Sequence, residues 1–408
     1  MLYRLIIAML WPFLMLARLA KGESRRDLAE RLGRAGGVGP VLWLHGASNG
    51  ELASARWLVE RLRQARPDLA VLVTCNTLTA RAMVRGWNMP GVTAALAPVD
   101  TGFAVAGFLK RWRPLALISL EGELWPNRFA ACGAADVPIV MLGARMSARS
   151  FAVWQRFGGL AAASLAAVRF ASAQDAGSRQ RLSDLGLPPA ALGPEFDLKA
   201  EAMAHLPAPD MLPRAQRAGW LLAASTHDGE DEAILDAFVA SGLQHLILAP
   251  RHASRGDALA GLLTRRGLTF RRRSQGGGPG EARVLLADTM GEMDLWYERC
   301  GICLIGGTLV DKGGHTPWEP ARHGCALLHG PSLWNFSGPF AALDAAGAAL
   351  PVTAQTLAAA LATLDGAVQD RMAVAAKDVL QAKGDATVLF QSILRHSHLP
   401  LTAGKLAL

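Results

Sequence analysis

Between residues 40 and 173, short apolar runs alternate with amphipathic stretches. The runs 41–45, 70–74, 93–97, 115–120, 138–142 and 168–173 are of strand length and apolar almost throughout. Continuous rather than alternating apolarity marks strands buried on both faces of a parallel sheet. Between them, 51–65, 101–112 and 177–185 carry helical spacing, so strand and helix follow one another as in crossover units. The pattern pauses at 203–217, where Pro207, Pro209 and Pro213 read as a linker. It restarts with apolar runs at 220–224, 244–249, 283–287, 301–305 and 326–329. The expectation is an α/β protein with two Rossmann-like domains facing a central cleft, at residues 21–202 and 218–408, joined by the linker.

Residues 1–20 stand outside this pattern. The stretch 5–17 is uncharged but only 13 residues long, short of the ~20 needed to span a bilayer. Arg4 and Arg18 flank it, no small-residue cleavage site follows, and Lys21, Arg25, Arg26, Arg31 and Arg34 come next. The expectation is a retained helix lying in a lipid interface, with a basic cluster for anionic headgroups and the globular part in the cytoplasm.

Composition narrows the partners. The 408 residues carry a net charge of +8, with 51% hydrophobic and 19% charged residues. That balance favours anionic ligands or lipid, and no interleaving of aromatics with lysines suggests nucleic acid. The five cysteines have no framework spacing, as in a reducing compartment, and Cys300-x-x-Cys303 lacks a second pair.

Candidate chemistry gathers in the loops after the strands. Gly306 to Glu319, GGTLVDKGGHTPWE, places two glycine pairs between a strand and an expected helix start. Thr316 fits the cap, Pro317 the first helical position and Glu319 the third. Free amides at such a junction bind anions, most often phosphate. The second half also offers Ser225-Thr226-His227, Pro250-Arg251-His252 and Asp288-Thr289-Met290-Gly291-Glu292-Met293. The first half offers His45-Gly46-Ala47-Ser48-Asn49-Gly50-Glu51 and Glu121-Gly122-Glu123-Leu124-Trp125-Pro126-Asn127. Carboxylates on one side and cations with glycine loops on the other suit a transferase, with a base for a hydroxyl and a cradle for an anionic donor. Ser48–Glu51, Thr289–Glu292 and Thr316–Glu319 also fit capping boxes, so each glutamate has a purely structural reading beside the functional one. Neither H-E-x-x-H nor a D-x-D pair occurs, so no metal and no cofactor are expected.

HGASNGE, EGELWPN, ARMSARS, STHDGEDE, PRHASR, DTMGEM, GGTLVDKGGHTPWEP and GPSLWNF, in that order, resemble the 3-deoxy-D-manno-oct-2-ulosonic acid (Kdo) transferases, the lipid A glycosyltransferases of Gram-negative bacteria. The resemblance covers nearly the whole chain. It implies a GT-B glycosyltransferase fold with an N-terminal membrane-associated helix. It further implies metal-independent transfer of Kdo from CMP-Kdo, with inversion, to a lipid A precursor (lipid IVA) at the cytoplasmic face of the inner membrane. Carried over by position, it makes Glu51 the proton acceptor and Glu121 a transition-state stabiliser. Pro250, Arg251, Gly291, Glu292, Met293, Thr316, Pro317, Trp318 and Glu319 would hold CMP. Ser225, Thr226, His227, His252, Gly313, Gly314 and His315 complete the expected CMP-Kdo-binding set.

Three positions depart from the family pattern. Where a lysine normally precedes Phe-Asp there is Glu195, in Gly193-Pro194-Glu195-Phe196-Asp197-Leu198-Lys199, and Lys199 is left as an uncertain substitute. Thr316 replaces the usual asparagine, and Asn49 stands where a small apolar residue is common. The charge reversal leaves two alternatives open: a transferase for another CMP-activated ulosonic acid or acceptor, or a silent lipid A- or CMP-sugar-binding relative.

Overall fold

The computed structural model describes residues 2–37, 39–381 and 385–399. The described chain forms two compact units, one of residues 1–205 with 382–408, the other of residues 206–381. The first contains six parallel strands: β1 (Val41–His45), β2 (Ala70–Cys75), β3 (Val92–Leu96), β4 (Pro114–Leu120), β5 (Ile139–Ala144) and β6 (Val168–Ala173). Their spatial order is β3-β2-β1-β4-β5-β6. The second contains β7 (Trp220–Thr226), β8 (His245–Pro250), β9 (Phe270–Arg272), β10 (Val284–Leu286), β11 (Ile302–Ile305), β12 (Ala326–His329) and β13 (Ala349–Pro351). Their order is β13-β12-β11-β7-β8-β10-β9, again all parallel.

The uniform apolarity of the strands has its cause in this layering. Along β1, Leu42 and Leu44 enter one core cluster while Val41 and Trp43 enter the cluster on the opposite face. Along β7, Leu221 and Ala223 divide in the same way from Trp220, Leu222 and Ala224. Each strand order reverses near its middle, between β1 and β4 and between β7 and β11. At such a reversal the crossover helices diverge to opposite faces and leave a crevice at the strand C-termini.

The expected strands fall within a few residues of the observed ones. The short edges β9 and β13 were not expected. On β9 Arg272 bridges Asp257 and Asp288, and Arg273 just beyond it pairs with Glu292. The expected helix 51–65 is two helices, Asn49–Ser54 and Arg56–Ala65, meeting at Ala55.

The domain boundaries need two corrections. The second unit ends at Gln381. The helix Ala386–His396 puts Leu389, Phe390, Ile393 and Leu394 into the first unit's core, with the Arg61 guanidinium over the Phe390 ring. That apolar stripe finds its cover in the first unit, which a linear reading of the chain does not reveal. The expected linker is not a free tether throughout. Arg217 is buried and donates to the carbonyls of Tyr297, Cys300 and His323, while Arg214 holds Asp370. Met1 and residues 400–408, the extremes of the expected first and last segments, lie outside the described residues.

The N-terminal segment is one helix, Leu2–Ala20, with Pro12 inside it. Tyr3 donates to Asp100 at 2.8 Å, Trp11 meets the Phe103 ring edge-on at 5.3 Å, and Met15 is buried. Spacings of eight and four residues put all three on one face. Among the described residues no helix is long and apolar enough to cross a membrane. One member of the expected basic cluster is removed from it: Arg31 is buried in an ion pair with Glu23 at 2.8 Å. All five cysteines are buried and free, Cys300 and Cys303 included.

Candidate active site

In the first unit the crevice between β1 and β4 receives the loops after both strands. After β1, Ser48 caps the helix Asn49–Ser54 by accepting from the Glu51 amide at 3.4 Å. The Glu51 carboxylate accepts from the Ala47 amide at 2.7 Å and from the Ser48 hydroxyl at 3.0 Å. Glu51 is therefore both cap partner and functional candidate; one role does not displace the other. Burial, and then the negative charge of Glu121, push its carboxyl up to about 7. A carboxylate so placed is suited to act as a base near neutral pH.

Glu121 follows β4 directly and has a positive φ of 51°. Its backbone is held on both sides, the amide donating to Leu142 O and the carbonyl accepting from the Arg145 amide. A left-handed glutamate is costly, and a loop that over-determines it fixes the direction of its side chain. Lys199 Nζ lies 2.6 Å from Glu121 Oε1. Lys199 is in the first turn of the helix Leu198–Ala204, whose cap Asp197 accepts from the Lys199 amide at 2.8 Å. Phe196 and Leu198 are buried on either side. Position 199 thus places a cation beside Glu121, four residues beyond Glu195. Glu195 makes no ion pair or hydrogen bond with any described residue.

Two residues of this crevice escaped the sequence reading although their motifs were noted. Glu123 accepts from Trp125 Nε1 at 3.0 Å and from Asn76 at 3.3 Å, and lies 3.9 Å from His45 Nε2. His45 is buried, with Nδ1 at 2.9 Å from the Thr74 hydroxyl. Desolvation, aided by buried Arg128, pushes the imidazole down to about 4. Burial acts to raise Glu123, but His45, Trp125 and Arg128 together hold it below its ordinary value. A spacing of two in E-x-E was the available signal.

In the second unit the corresponding crevice lies between β7 and β11. Here the glycine loop behaves as an anion nest, but its anion is internal. The amides of Gly307, Thr308 and Leu309 donate to Glu230 at 2.7, 3.1 and 3.0 Å, and the His227 amide donates at 2.8 Å. Glu230 is buried, so the amides at residues 307–309 are already satisfied. Glu230→Ala is expected to leave these four donors without their acceptor, at a cost of about 3 kcal/mol or more. Thermal unfolding should show a drop of several degrees. An unchanged melting temperature would mean that the nest needs no internal anion.

Thr316 is not the helix cap. The helix begins at Trp318, Pro317 occupies the cap position, and it makes no side-chain cap bond. At five residues, Trp318–Arg322 is too short for its dipole to organise an anion site by itself. Buried Trp318 and half-buried Glu319 open that turn. Gly313 has φ +77°, and a Cβ there would lie 2.5 Å from the Trp334 ring, so only glycine fits between Lys312 and Gly314. Gly314 donates to Gly307 O, which folds the two glycine pairs onto each other.

Arg251 and three histidines converge at the end of β7. Ser225 has a φ of +58°, Thr226 O accepts from the Arg251 amide, and Thr226 Oγ1 donates to Asp231. These bonds tie the loop after β8, with Pro250, Arg251 and His252, to the loop after β7. His227 and His315 stack with ring planes 7° apart and Nε2 atoms at 2.9 Å, and His252 stands edge-on to His227 at 6.2 Å. Burial, and then His227, push His315 down to about 4; His227 is also lowered, chiefly by burial. Gly291 and Met293 flank Glu292, whose carboxylate is already taken by Arg273 at 2.6 Å and by Thr289. That side chain is the wall of the loop rather than a free ligand group.

Two Rossmann-type sheets with polar loops at their reversal points define a GT-B-like α/β fold of the kind found in nucleotide-sugar enzymes. A UDP-GlcNAc 2-epimerase from Neisseria meningitidis bound to UDP-GlcNAc superposes with a TM-score of 0.58 at 11% identity, covering 87% of this chain and 99% of that one. MurG from Acinetobacter baumannii does so with a TM-score of 0.52 at 12% identity, covering 87% and 100%. The sequence is more specific than the fold. The family model described as 3-deoxy-D-manno-octulosonic-acid transferase (kdotransferase) matches residues 26–202. The 3-deoxy-D-manno-octulosonic acid transferases of Haemophilus influenzae and Bordetella pertussis are each 33% identical, over 79% and 82% of this chain and the same shares of theirs. A probable mitochondrial 3-deoxy-D-manno-octulosonic acid transferase of Arabidopsis thaliana is 31% identical, over 76% of this chain and 73% of its own. The chain belongs to the Kdo transferase family and is a glycosyltransferase.

Proposed function

We propose that this protein transfers Kdo from CMP-Kdo to a hydroxyl of a lipid A precursor, lipid IVA, with inversion at the anomeric carbon. The observation that carries the reading is Glu51, a carboxylate pushed up to about 7 beside the Glu121–Lys199 pair. In the proposed reaction Glu51 takes the hydroxyl proton as the acceptor oxygen bonds to the anomeric carbon. The bond from that carbon to the phosphate oxygen breaks, and CMP leaves with the electron pair. A single displacement of this kind inverts the centre. Glu121, held by Lys199, is the stabiliser beside the base. Arg251 and Lys312 offer the charge that a departing phosphate needs, and His227, His252 and His315 offer ring N–H groups. Incubating purified protein with CMP-Kdo and lipid IVA should yield a lipid heavier by one or more Kdo units in mass spectrometry. Product from another CMP-sugar, and none from CMP-Kdo, would assign a different donor. The cation that Lys199 places beside Glu121 supports the Kdo reading.

In the same reading the N-terminal helix lies in the cytoplasmic face of the inner membrane. Met9 is 70% exposed, Phe13 69% and Leu16 63%, on the side away from Tyr3, Trp11 and Met15. Phe103, against which Trp11 packs, lines a cavity that also carries Arg34, Lys110 and Arg111, suited to anionic headgroups. Combined Met9→Glu and Phe13→Glu substitution is expected to weaken binding to phosphatidylglycerol-containing vesicles by roughly 100-fold, from ~1.5 kcal/mol per side chain. Flotation assays would measure it, and undiminished flotation would place the lipid contact elsewhere.

A further inference from the structure

Among the groups at the end of β7, the two stacked histidines have a hydrogen-bond logic of their own. With Nε2 atoms 2.9 Å apart, one nitrogen must carry a proton and the other must not. In the neutral couple, one ring then has a protonated Nδ1 and the other a bare Nδ1. Neither Nδ1 has a partner among the described residues. A single added proton fits the bare Nδ1 and leaves the Nε2 contact intact; a second would set two N–H groups against each other.

We propose that the His227–His315 couple takes up one proton from solvent when the phosphate of the nucleotide binds, becoming a cation with two N–H groups able to meet the anion. This rests on the nucleotide reading of the site. The surroundings explain why the couple is neutral beforehand. Arg251 and His252 face it from the loop after β8, and Lys312 faces it from the glycine loop. The nearby carboxylate, Glu230, is already engaged by four backbone amides. Burial, and then His227, Arg251 and His252, hold His315 down to about 4. A unit negative charge at hydrogen-bonding distance raises the proton affinity of an imidazole by roughly a thousandfold, and departing CMP carries two such charges. The second charge appears as the sugar–phosphate bond breaks, so the proton offsets a charge that the donor lacks.

The test is calorimetric titration of the full-length protein with CMP at pH 7, in buffers of different ionisation enthalpy. The dependence of the binding heat on buffer should report roughly half to one proton taken up per CMP. Cytidine, which has no phosphate, should give no uptake. His227→Gln and His315→Gln should each remove most of the uptake and weaken CMP binding about tenfold or more. Side-chain nitrogen NMR of the unsubstituted protein answers without any variant: CMP should remove one deprotonated Nδ1 signal. CMP binding with no proton uptake overturns the proposal while leaving the nucleotide reading intact. Uptake that survives in both variants also overturns it, and failure of CMP to bind removes both.

Discussion

Glu51→Gln is expected to lower turnover about 1,000-fold while leaving CMP affinity unchanged, the loss typical of removing a positioned general base. The unmutated enzyme should show kcat/KM rising with pH through a limb near 7, because the carboxylate must be deprotonated and is pushed up to about 7. Glu121 is the first charge to raise it, so Glu121→Gln should move that limb to lower pH. The same shift bears on stability. The folded state holds the Glu51 proton more tightly than the unfolded chain, so this contribution is complete below about 4.5 and lost as pH rises through about 7. Removing the charge should therefore cost little stability at pH 8 and favour it instead, apart from the bonds to Ala47 and Ser48. A variant with near-normal turnover would take Glu51 out of the base role. A variant that loses activity only by melting would reduce it to a cap.

The second large effect concerns Lys199. Lys199→Met is expected to lower kcat by about 100-fold or more, whereas Glu195→Gln should stay within a few-fold of the unmutated protein. The reasoning is geometric. Lys199 Nζ sits 2.6 Å from Glu121, and Glu195 makes no ion pair among the described residues. Without Lys199, Glu121 and Glu51 face each other with less compensation, so the acid limb should also move to higher pH. Steady-state kinetics across pH on the two variants would decide it. Equal losses from both substitutions, or a greater loss from Glu195→Gln, would return the role to position 195.

The case of Glu195 and Lys199 shows where sequence reasoning stops. The charge reversal was plain in the chain, and so was a lysine four residues on. Whether that lysine reaches the site depends on the helix after Asp197, and on Phe196 and Leu198 turning inward to aim it. The glycine loop gives the same lesson from the other direction. Its capacity to bind an anion followed from glycine pairs and backbone amides, but Glu230, some 77 residues earlier, occupies the amides of 307–309. The helix start at Thr316 was read from a local pattern, and the chain instead begins helix at Trp318. The N-terminal helix was legible from its apolar run, whereas the burial of Arg31 against Glu23 was not.

What the chain alone determined is what depends on local repetition: continuous apolar strands, the helices between them, two halves, and ordered loop motifs that identify the family. Those signals lie within a few residues of each other, where spacing dictates geometry. The tertiary structure decided what depends on distant partners. It closed the amides of 307–309 on Glu230, stacked His227 on His315, paired Lys199 with Glu121 and returned the last helix to the first unit. Each of these joins residues whose proximity only the folded sheets create, and electrostatic and hydrogen-bond energies depend on such proximity.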